Sequence, residues 1–291
     1  MSGSRPPTVA AVIVSYNVRD LVLECIASLR ADGVDRIVVV DNASSDGSAR
    51  AVQEGEPDVE VLALDRNLGF GAAANRGVAR TASTYVAVMN PDVVVEPGCT
   101  KALVDALEAD PGLAVVGPRV ETTAGVLYPS ARTFPDLADA AGHAFFHFVW
   151  PTNPYSRRYR MLDWDHASAA DVDWVAGTHL LARRSAWDEA GGFDEGFFMY
   201  LEDVDLCWRL RRLGWRTGYQ PAARVTHGIG RSTDQTPYRM IVAHHRSLLR
   251  YASKTTFGRR RLLLPVIAVS LVVRTFLAWI QRAARGRPHA M

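Results

Sequence analysis

Short runs of apolar, largely β-branched residues alternate with helix-period segments in the first part of the chain. The runs are Val9–Ser15, Arg36–Val40, Val59–Leu64, Tyr85–Met89 and Ala114–Pro118, and the helical segments are Asp20–Ala31, Gly71–Arg80 and Pro97–Ala109. Continuous apolar runs are typical of parallel strands that helices cover on both faces. The pattern predicts an α/β fold with a Rossmann-like, mostly parallel sheet flanked by helices.

The remainder of the chain has a less regular pattern. It predicts strands at Val172–Ala182 and Ala222–Thr226 and helices at Arg184–Ala190, Val204–Leu213 and Tyr238–Ala252. The aromatic- and proline-rich stretch from Tyr128 to Trp164 gives no clear element, and we expect a loop or flap there. No internal repeat and no linker is evident.

Charge is distributed unevenly along the chain. The 291 residues carry a formal charge of only +2, which argues against a nucleic-acid-binding protein. All 31 acidic residues lie in residues 1–234, which sum to −9, whereas residues 235–291 carry 11 basic residues and no acidic one. We therefore expect two parts, an acidic catalytic domain over 1–234 and a basic helical C-terminal extension over 235–291.

The cysteines and the N-terminal sequence indicate the cellular compartment in which the protein works. The three cysteines are far apart and lack CxxC spacing, which indicates neither a disulfide framework nor a zinc site. The N-terminal apolar run is too short and too strand-like for a signal peptide. A reducing, cytosolic environment is the expectation.

Each of the first four predicted strands ends in polar residues. These are Ser15, Tyr16 and Asn17 after the first, Asp41 and Asn42 after the second, Asn67, Gly69 and Gly71 after the third, and Asn90 and Asp92 after the fourth. Ligands of open parallel sheets bind where the carboxyl ends of the strands converge, so these residues predict a binding crevice. Helix capping and turn formation are the alternative explanation.

Two common nucleotide sites are disfavoured. The turn after the first strand, SYNVRD, contains no glycine, and no GK[ST] sequence occurs, so neither a dinucleotide fingerprint nor a P-loop is present. A different nucleotide site remains. In it, Asp41 and Asn42 would contact a pyrimidine, Gly69 and Gly71 would let the backbone approach a ribose or phosphate, and Asp92 would hold Mn²⁺ or Mg²⁺ on a diphosphate.

Several strings together resemble glycosyltransferase family 2. They are VIVSYN, VVVDNASSDGS, RNLGFGAAANRG, VMNPDVVV, WVAGTHLLARRSAWDEAGGFDEGFFMYLEDVDLCWRLRRLGW and ARVTHGIGRS, and they cover roughly residues 9–232 in order. The resemblance implies an inverting, metal-dependent transferase of the GT-A fold that uses a nucleotide sugar. Asn90-Pro91-Asp92 stands where the family has its metal-binding D-x-D, so the first carboxylate of that motif is absent.

The resemblance also implies roles for individual residues. Asp203 is implied as the general base with Glu202 beside it, Asp92 and His227 as metal ligands, and Asn75 and Arg231 as contacts to the nucleotide sugar. Trp174, Gly177 and Thr178 are implied as acceptor-binding residues. Helix N-capping by the two acids and core packing of Trp174 are the competing explanations. Asp205 is expected to be structural.

Within the family, the NPD variant, the GGFDE…FFMYLEDVDLCWR block, LYPSAR and WPTNPYSRRYR resemble bacterial rhamnosyltransferases. This implies dTDP-rhamnose as donor, a GlcNAc-diphosphoryl-polyprenol acceptor of cell-wall linker synthesis, and work at the cytoplasmic face of the cell membrane. The alternatives are a family 2 transferase that uses another dTDP- or UDP-sugar, a nucleotidyltransferase, and a catalytically inactive membrane-associated nucleotide-binding protein. The SYNVRD turn disfavours the nucleotidyltransferase.

The C-terminal extension combines arginines with a long apolar run. Pro265 and Arg274 interrupt that run, and a charge at the centre of a bilayer is costly. An amphipathic or re-entrant helix at an anionic membrane surface is therefore favoured over a spanning one. A soluble helical tail that mediates homodimerisation is the alternative.

Overall fold

The computed structural model describes residues 8–34, 36–135, 150, 152–228 and 236–284. The strands are β1 (Val9–Ser15), β2 (Arg36–Asp41), β3 (Glu60–Ala63), β4 (Tyr85–Met89), β5 (Val93–Val95), β6 (Leu113–Thr122), β7 (Leu127–Tyr128), β8 (Ala131–Arg132), β9 (Ala170–Val172), β10 (Trp174–Val175), β11 (His179–Arg183) and β12 (Arg216–His227). The helices are α1 (Arg19–Ala31), α2 (Ser48–Gly55), α3 (Phe70–Val78), α4 (Cys99–Ala109), α5 (Pro154–Arg160), α6 (Arg184–Ala190), α7 (Glu202–Arg212), α8 (Pro237–Thr255) and α9 (Leu264–Ala284). A 3₁₀ segment, Gly258–Leu263, joins α8 to α9.

The central sheet has the strand order β3–β2–β1–β4–β11–β6–β12–β5. Strands β1 to β4 are mutually parallel and β12 is parallel to β6, whereas β11 and β5 run antiparallel to their neighbours. The prediction of a mostly parallel sheet is confirmed. Ser15 and Asp41 end β1 and β2 side by side, so the polar strand ends do converge at one edge.

Helices cover both faces of the sheet. Alternate residues of a strand point to opposite faces, and those of β1 enter two different cores. Ala11 and Ile13 pack with residues of α1 and α4, whereas Val12 and Val14 pack with residues of α3, α6 and α7. Burial on both faces explains why the strand reads as a continuous apolar run.

The predicted strand Val172–Ala182 is wrong as a single element. It is divided into β9, β10 and β11. Strand β9 pairs with β12, β10 with β8, and β11 with β4 and β6. Trp174 and Val175 leave the main sheet and pair with β8 in a separate two-stranded sheet. This detour carries residues 174–178 towards the edge of the fold where the polar strand ends lie.

The C-terminal helices pack against each other and against the α/β body. Thr275 Oγ1 of α9 lies 2.9 Å from His245 Nδ1 of α8, and the Tyr238 and Trp279 rings meet edge to face. Residues Gly258–Ala283 are long and apolar enough to cross a membrane by length and composition. Large apolar side chains on the outer side of this segment are more than half exposed, namely Leu262, Val266, Val269, Val272, Val273, Phe276, Leu277 and Ile280.

Candidate active site

A cavity of about 390 Å³ lies where the polar strand ends converge. The residues singled out in the sequence that line it are Tyr16, Asn42, Asn67, Asn90, Asp92, Trp174, Gly177, Thr178, Glu202, Asp203 and His227. Members of the predicted metal, nucleotide-sugar, acceptor and base groups thus border one space. Six predicted nucleotide-sugar residues that the structure describes do not line it, namely Ser15, Asn17, Asp41, Gly69, Gly71 and Asn75.

Asp92 and His227 form a buried carboxylate–imidazole pair in this cavity. Asp92 follows β4 and His227 ends β12, and their Oδ1 and Nε2 atoms are 3.1 Å apart. The backbone N–H of Gly228 donates to the Asp92 carbonyl at 2.9 Å, which fixes the two segments together. A carboxylate and an imidazole suit a divalent ion such as Mn²⁺.

Within the part of the chain that the structure describes, Asp92 and His227 are the two candidate ligands at this point. Among the described residues, no group of three His, Cys, Asp or Glu side chains is arranged to hold a metal ion. An ion bound by Asp92 and His227 would take its remaining ligands from another source, and diphosphate oxygens are typical ones.

The acidic pair Glu202–Asp203 opens helix α7 after an unusual backbone turn. Tyr200 and Leu201 have φ values of +68° and +65°, a left-handed conformation that costs energy in residues with a side chain. The N-cap residue Leu201 makes no side-chain cap, but Asp203 accepts from the first-turn N–H of Val204, so capping explains part of the role of this acid. Negative charge there also favours the helix dipole. The strained turn presents both carboxyl groups to the cavity.

Backbone donors orient the Asp203 carboxylate. Its Oδ2 accepts from the Gly177 N–H at 2.8 Å, and its Oδ1 accepts from the Val204 N–H at 2.8 Å. The Glu202 side chain is buried, and its Oε2 has no hydrogen-bond partner among the described residues. The two neighbouring acids therefore differ in their surroundings.

The different surroundings of Glu202 and Asp203 affect the pKa values of the two carboxyl groups differently. Burial raises the pKa of Glu202 well above its usual value, and the adjacent Asp203 charge raises it further. Burial also raises the pKa of Asp203, but the N–H groups of Gly177 and Val204 and the charge of Arg132 oppose that rise. Asp203 is accordingly the member of the pair suited to carry the negative charge and accept a proton.

Arg132, the last residue of the LYPSAR string, is a buried cation in the cavity wall for which the sequence predicted no role. Its guanidinium carbon lies 5.5, 5.6 and 5.1 Å from the ring centroids of Tyr128, Tyr159 and Trp174, and its Nη2 donates to the Tyr128 hydroxyl at 3.0 Å. Arg132 pairs with Trp174 across β8 and β10. The same detour that stacks Trp174 on Arg132 delivers the Gly177 N–H to Asp203.

Replacing Arg132 with methionine should therefore move the pH dependence of turnover. Without the nearby positive charge, the Asp203 pKa rises, so the ascending limb of kcat/KM against pH shifts upwards by about one pH unit. Arg157→Met removes an exposed arginine of α5 and should leave the limb in place. An unshifted limb in Arg132→Met, with the fold intact by circular dichroism, would contradict the assigned electrostatic role.

Two buried residues next in sequence to residues that line the cavity retain unused acceptor atoms. Ser15 and Asp41 are buried, and Ser15 Oγ and Asp41 Oδ1 have no hydrogen-bond partner among the described residues. The other Asp41 oxygen accepts from the Ser44 N–H at 2.9 Å. Unsatisfied buried oxygens are costly, and a ligand N–H would satisfy them.

The side chains of three other predicted nucleotide contacts already have hydrogen-bond partners within the protein. Asn75 does not line the cavity, because its amide group binds the backbone N–H and C=O of Phe193 at 2.9 and 2.8 Å. The Asn17 side chain instead accepts from the Ser45 N–H at 2.7 Å and joins two strand-end loops. Asn42 lines the cavity, but its amide group is used by Leu68 and Gly69.

Gly69 and Gly71 allow close packing against another segment of the chain. A Cβ at Gly69, where φ is +85°, would lie 2.1 Å from the Phe198 carbonyl oxygen, and one at Gly71 would lie 3.0 Å from the Phe193 side chain. Packing within the chain is thus sufficient to require glycine at position 69 and to disfavour a larger residue at position 71. The remaining predicted contact, Arg231, lies outside the described residues.

Helix α8, which belongs to the predicted C-terminal extension, supplies part of the cavity wall. Thr236, Arg239, Met240 and His244 line the cavity, and His244 packs edge to face on Tyr200 at 5.2 Å between centroids. The helix is also tied to α7, where Lys254 contacts the buried Asp205 and also binds Asp194 at 2.7 Å. Asp205, paired with Arg209 as well, is structural as predicted.

The comparisons with known proteins agree with this arrangement. The model of the family described as "Glycosyl transferase family 2" matches residues 10–189, and the chain belongs to that family. It is a glycosyltransferase. It is 38% identical, over 76% of its length and 75% of the relative's, to an N-acetylglucosaminyl-diphospho-decaprenol L-rhamnosyltransferase of Mycobacterium tuberculosis. It is 27% identical to the rhamnosyltransferase WbbL of Escherichia coli, over 84% of this chain and 92% of that protein.

Solved structures support the GT-A-like fold at low sequence identity. The mannosyltransferase PcManGT of Pyrobaculum calidifontis, in complex with GDP-Man and Mn²⁺, aligns with a TM-score of 0.59 at 17% identity, covering 97% of this chain and 77% of that one. GalNAc-T7 with UDP, GalNAc and Mn²⁺ aligns with a TM-score of 0.63 at 15% identity, over 88% and 49% of the two chains.

Proposed function

We propose that the protein is an inverting rhamnosyltransferase that moves L-rhamnose from dTDP-rhamnose to GlcNAc-diphosphoryl-polyprenol. The observation that carries this proposal is the placement of the Glu202–Asp203 pair and the Asp92–His227 pair in one cavity. A single displacement at an anomeric carbon needs a general base and a diphosphate-binding position that face the same cavity. The similarity to the mycobacterial rhamnosyltransferase supports the choice of sugar and acceptor.

In the proposed reaction, Asp203 accepts the proton of the acceptor hydroxyl as that oxygen bonds to the anomeric carbon. The bond from that carbon to the diphosphate oxygen breaks on the opposite side, so the configuration inverts and the nucleoside diphosphate leaves. Gly177 and Val204 hold the carboxylate in place through their N–H groups. Asp92 and His227 would hold Mn²⁺ or Mg²⁺, whose charge stabilises the departing diphosphate.

The nucleotide base is proposed to bind at the ends of β1 and β2. A pyrimidine such as thymine carries an imide N–H, and Asp41 Oδ1 and Ser15 Oγ are buried acceptors without partners among the described residues. Tyr16 and Asn67 border the cavity on this side. Trp174, Gly177 and Thr178 are proposed to contact the acceptor sugar near Asp203.

A lipid-linked acceptor places the enzyme at the membrane, and we propose a peripheral or monotopic location on the cytoplasmic face. The inner side of α9 packs on α8, which itself forms part of the cavity wall, so only the outer apolar side is available to lipid. Arg259, Arg260 and Arg261 precede this helix and suit anionic headgroups. We propose residues 1–234 as the GT-A domain and 235–291 as a membrane-associated extension.

A donor screen tests the proposed function. Purified full-length protein is incubated with GlcNAc-diphosphoryl-undecaprenol, MnCl₂ or MgCl₂, and either dTDP-rhamnose, dTDP-glucose, UDP-GlcNAc or UDP-glucose. We expect the lipid product to gain the mass of one deoxyhexose with dTDP-rhamnose alone. Transfer from a UDP-sugar instead would favour another family 2 activity, and no release of nucleotide from any donor would favour an inactive binding protein.

A further inference from the structure

A second cavity, of about 510 Å³, adjoins the candidate active site on the side of the C-terminal helices. Phe198, Arg239 and Met240 line both cavities, so the two spaces share a wall. The remainder of the second cavity is formed mainly by one face of α8 and by Trp279 of α9. The second cavity therefore lies between the candidate active site and helix α9, whose outer face is apolar and exposed.

The polar groups of this second cavity are mainly donors. Arg239 and Arg246 lie seven residues apart, on the same face of α8, and neither has a carboxylate partner among the described residues. The Trp279 indole N–H is buried and lacks a hydrogen-bond partner in the described part of the chain. Ser247 already donates to the Met199 carbonyl at 2.8 Å.

Among the described residues, no acidic side chain lines this second cavity, whereas the first holds Asp92, Glu202 and Asp203. Two guanidinium groups and an unpaired N–H in an otherwise apolar and aromatic wall favour an anion that carries a hydrocarbon chain. Arginine donors bind phosphate oxygens well, and the side chains of Tyr238, Met240, Val242 and Trp279 suit isoprenoid units.

We propose that the second cavity binds the polyprenyl diphosphate part of the acceptor. The proposal rests on the proposed function and extends it from the sugar to the lipid. Arg239 and Arg246 contact the diphosphate, and Trp279 donates its N–H to the same group. The first isoprenoid units lie between α8 and α9, and the rest of the chain continues into the membrane beside the apolar face of α9.

Binding of farnesyl diphosphate to the full chain tests this site without turnover. The titration is done calorimetrically in EDTA, which removes any diphosphate binding through a metal ion, with inorganic diphosphate and farnesol as the two partial ligands. We expect Arg246→Gln to weaken farnesyl diphosphate binding by about tenfold, and Trp279→Phe, which keeps a ring but loses the N–H, to weaken it by a smaller factor. Both partial ligands should bind more weakly than farnesyl diphosphate.

Arg260→Gln is the matched control, because it removes an exposed arginine from the same basic extension outside the cavity. Equal weakening by Arg246→Gln and Arg260→Gln would overturn the proposal, since general electrostatic attraction would then explain it. Farnesol binding as tightly as farnesyl diphosphate would also overturn it. Because no donor is present, a failed donor screen with intact Arg246-dependent binding would reject only the proposed rhamnosyl transfer.

Discussion

Asp203→Asn is expected to lower kcat by about a thousandfold, a loss typical of removing a general base. The asparagine side chain keeps an oxygen for one of the two backbone N–H groups that hold Asp203, so the cavity should keep its shape. Affinity for the nucleoside diphosphate should not change, because Asp92 and the β1 and β2 ends are untouched. Single-turnover kinetics and a separate nucleotide titration measure the two quantities.

Glu202→Gln is the matched comparison for this prediction. Burial and the neighbouring charge raise the pKa of Glu202, so its carboxyl group is expected to be neutral already, and a neutral amide of similar size should preserve activity within about tenfold. If Glu202→Gln is the more damaging change and Asp203→Asn retains turnover, the base is Glu202 and our assignment is wrong.

Asp92→Ala is expected to weaken metal-dependent binding of dTDP by roughly a hundredfold, because it removes the only carboxylate of the Asp92–His227 pair. The measurement is a dTDP titration with MnCl₂ and again with EDTA. In EDTA the wild type and the variant should bind dTDP equally weakly.

Asp65→Ala controls for the loss of a negative charge. Asp65 is exposed, follows β3 and does not line the cavity. Its replacement should leave the manganese-dependent titration as in the wild type. An Asp92→Ala protein that keeps the full difference between MnCl₂ and EDTA would show that the metal binds elsewhere.

The parallel core of the fold was predictable from the sequence because burial on both faces produces unbroken apolar runs. Strands β1 and β4 lie where the sequence predicted them, and β2 differs by one residue. Parallel strands also place their carboxyl ends at one edge, so Tyr16, Asn67, Asn90 and Asp92 could be grouped without a structure.

The path of residues 172–182 was not predictable in the same way. The segment is largely apolar, and its division into β9, β10 and β11 depends on partners that lie far away in the sequence. Pairing of Trp174 with Arg132 is a tertiary choice that overrides local strand propensity. It also creates the aromatic surroundings of Arg132.

Individual side-chain roles were the least predictable part of the site. Asn75 and Asn17 have the residue types of a nucleotide site, yet nearby backbone groups take up their side-chain hydrogen bonds. Arg132 ends the LYPSAR string, whereas Arg239 lies in none of the quoted strings. Both come from segments distant from the strand ends, so only the folded chain shows that they line the cavity. The sequence contains many arginines, and nothing in it shows which of them line the cavity.

The anomeric configuration of the product tests the proposed single displacement most directly. The lipid-linked disaccharide made by the wild-type protein is purified, and the one-bond carbon–hydrogen coupling at the anomeric carbon of the transferred sugar is measured by NMR. We predict the configuration opposite to that in the dTDP-rhamnose donor, because one attack assisted by Asp203 inverts the centre. A retained configuration would contradict the proposed mechanism.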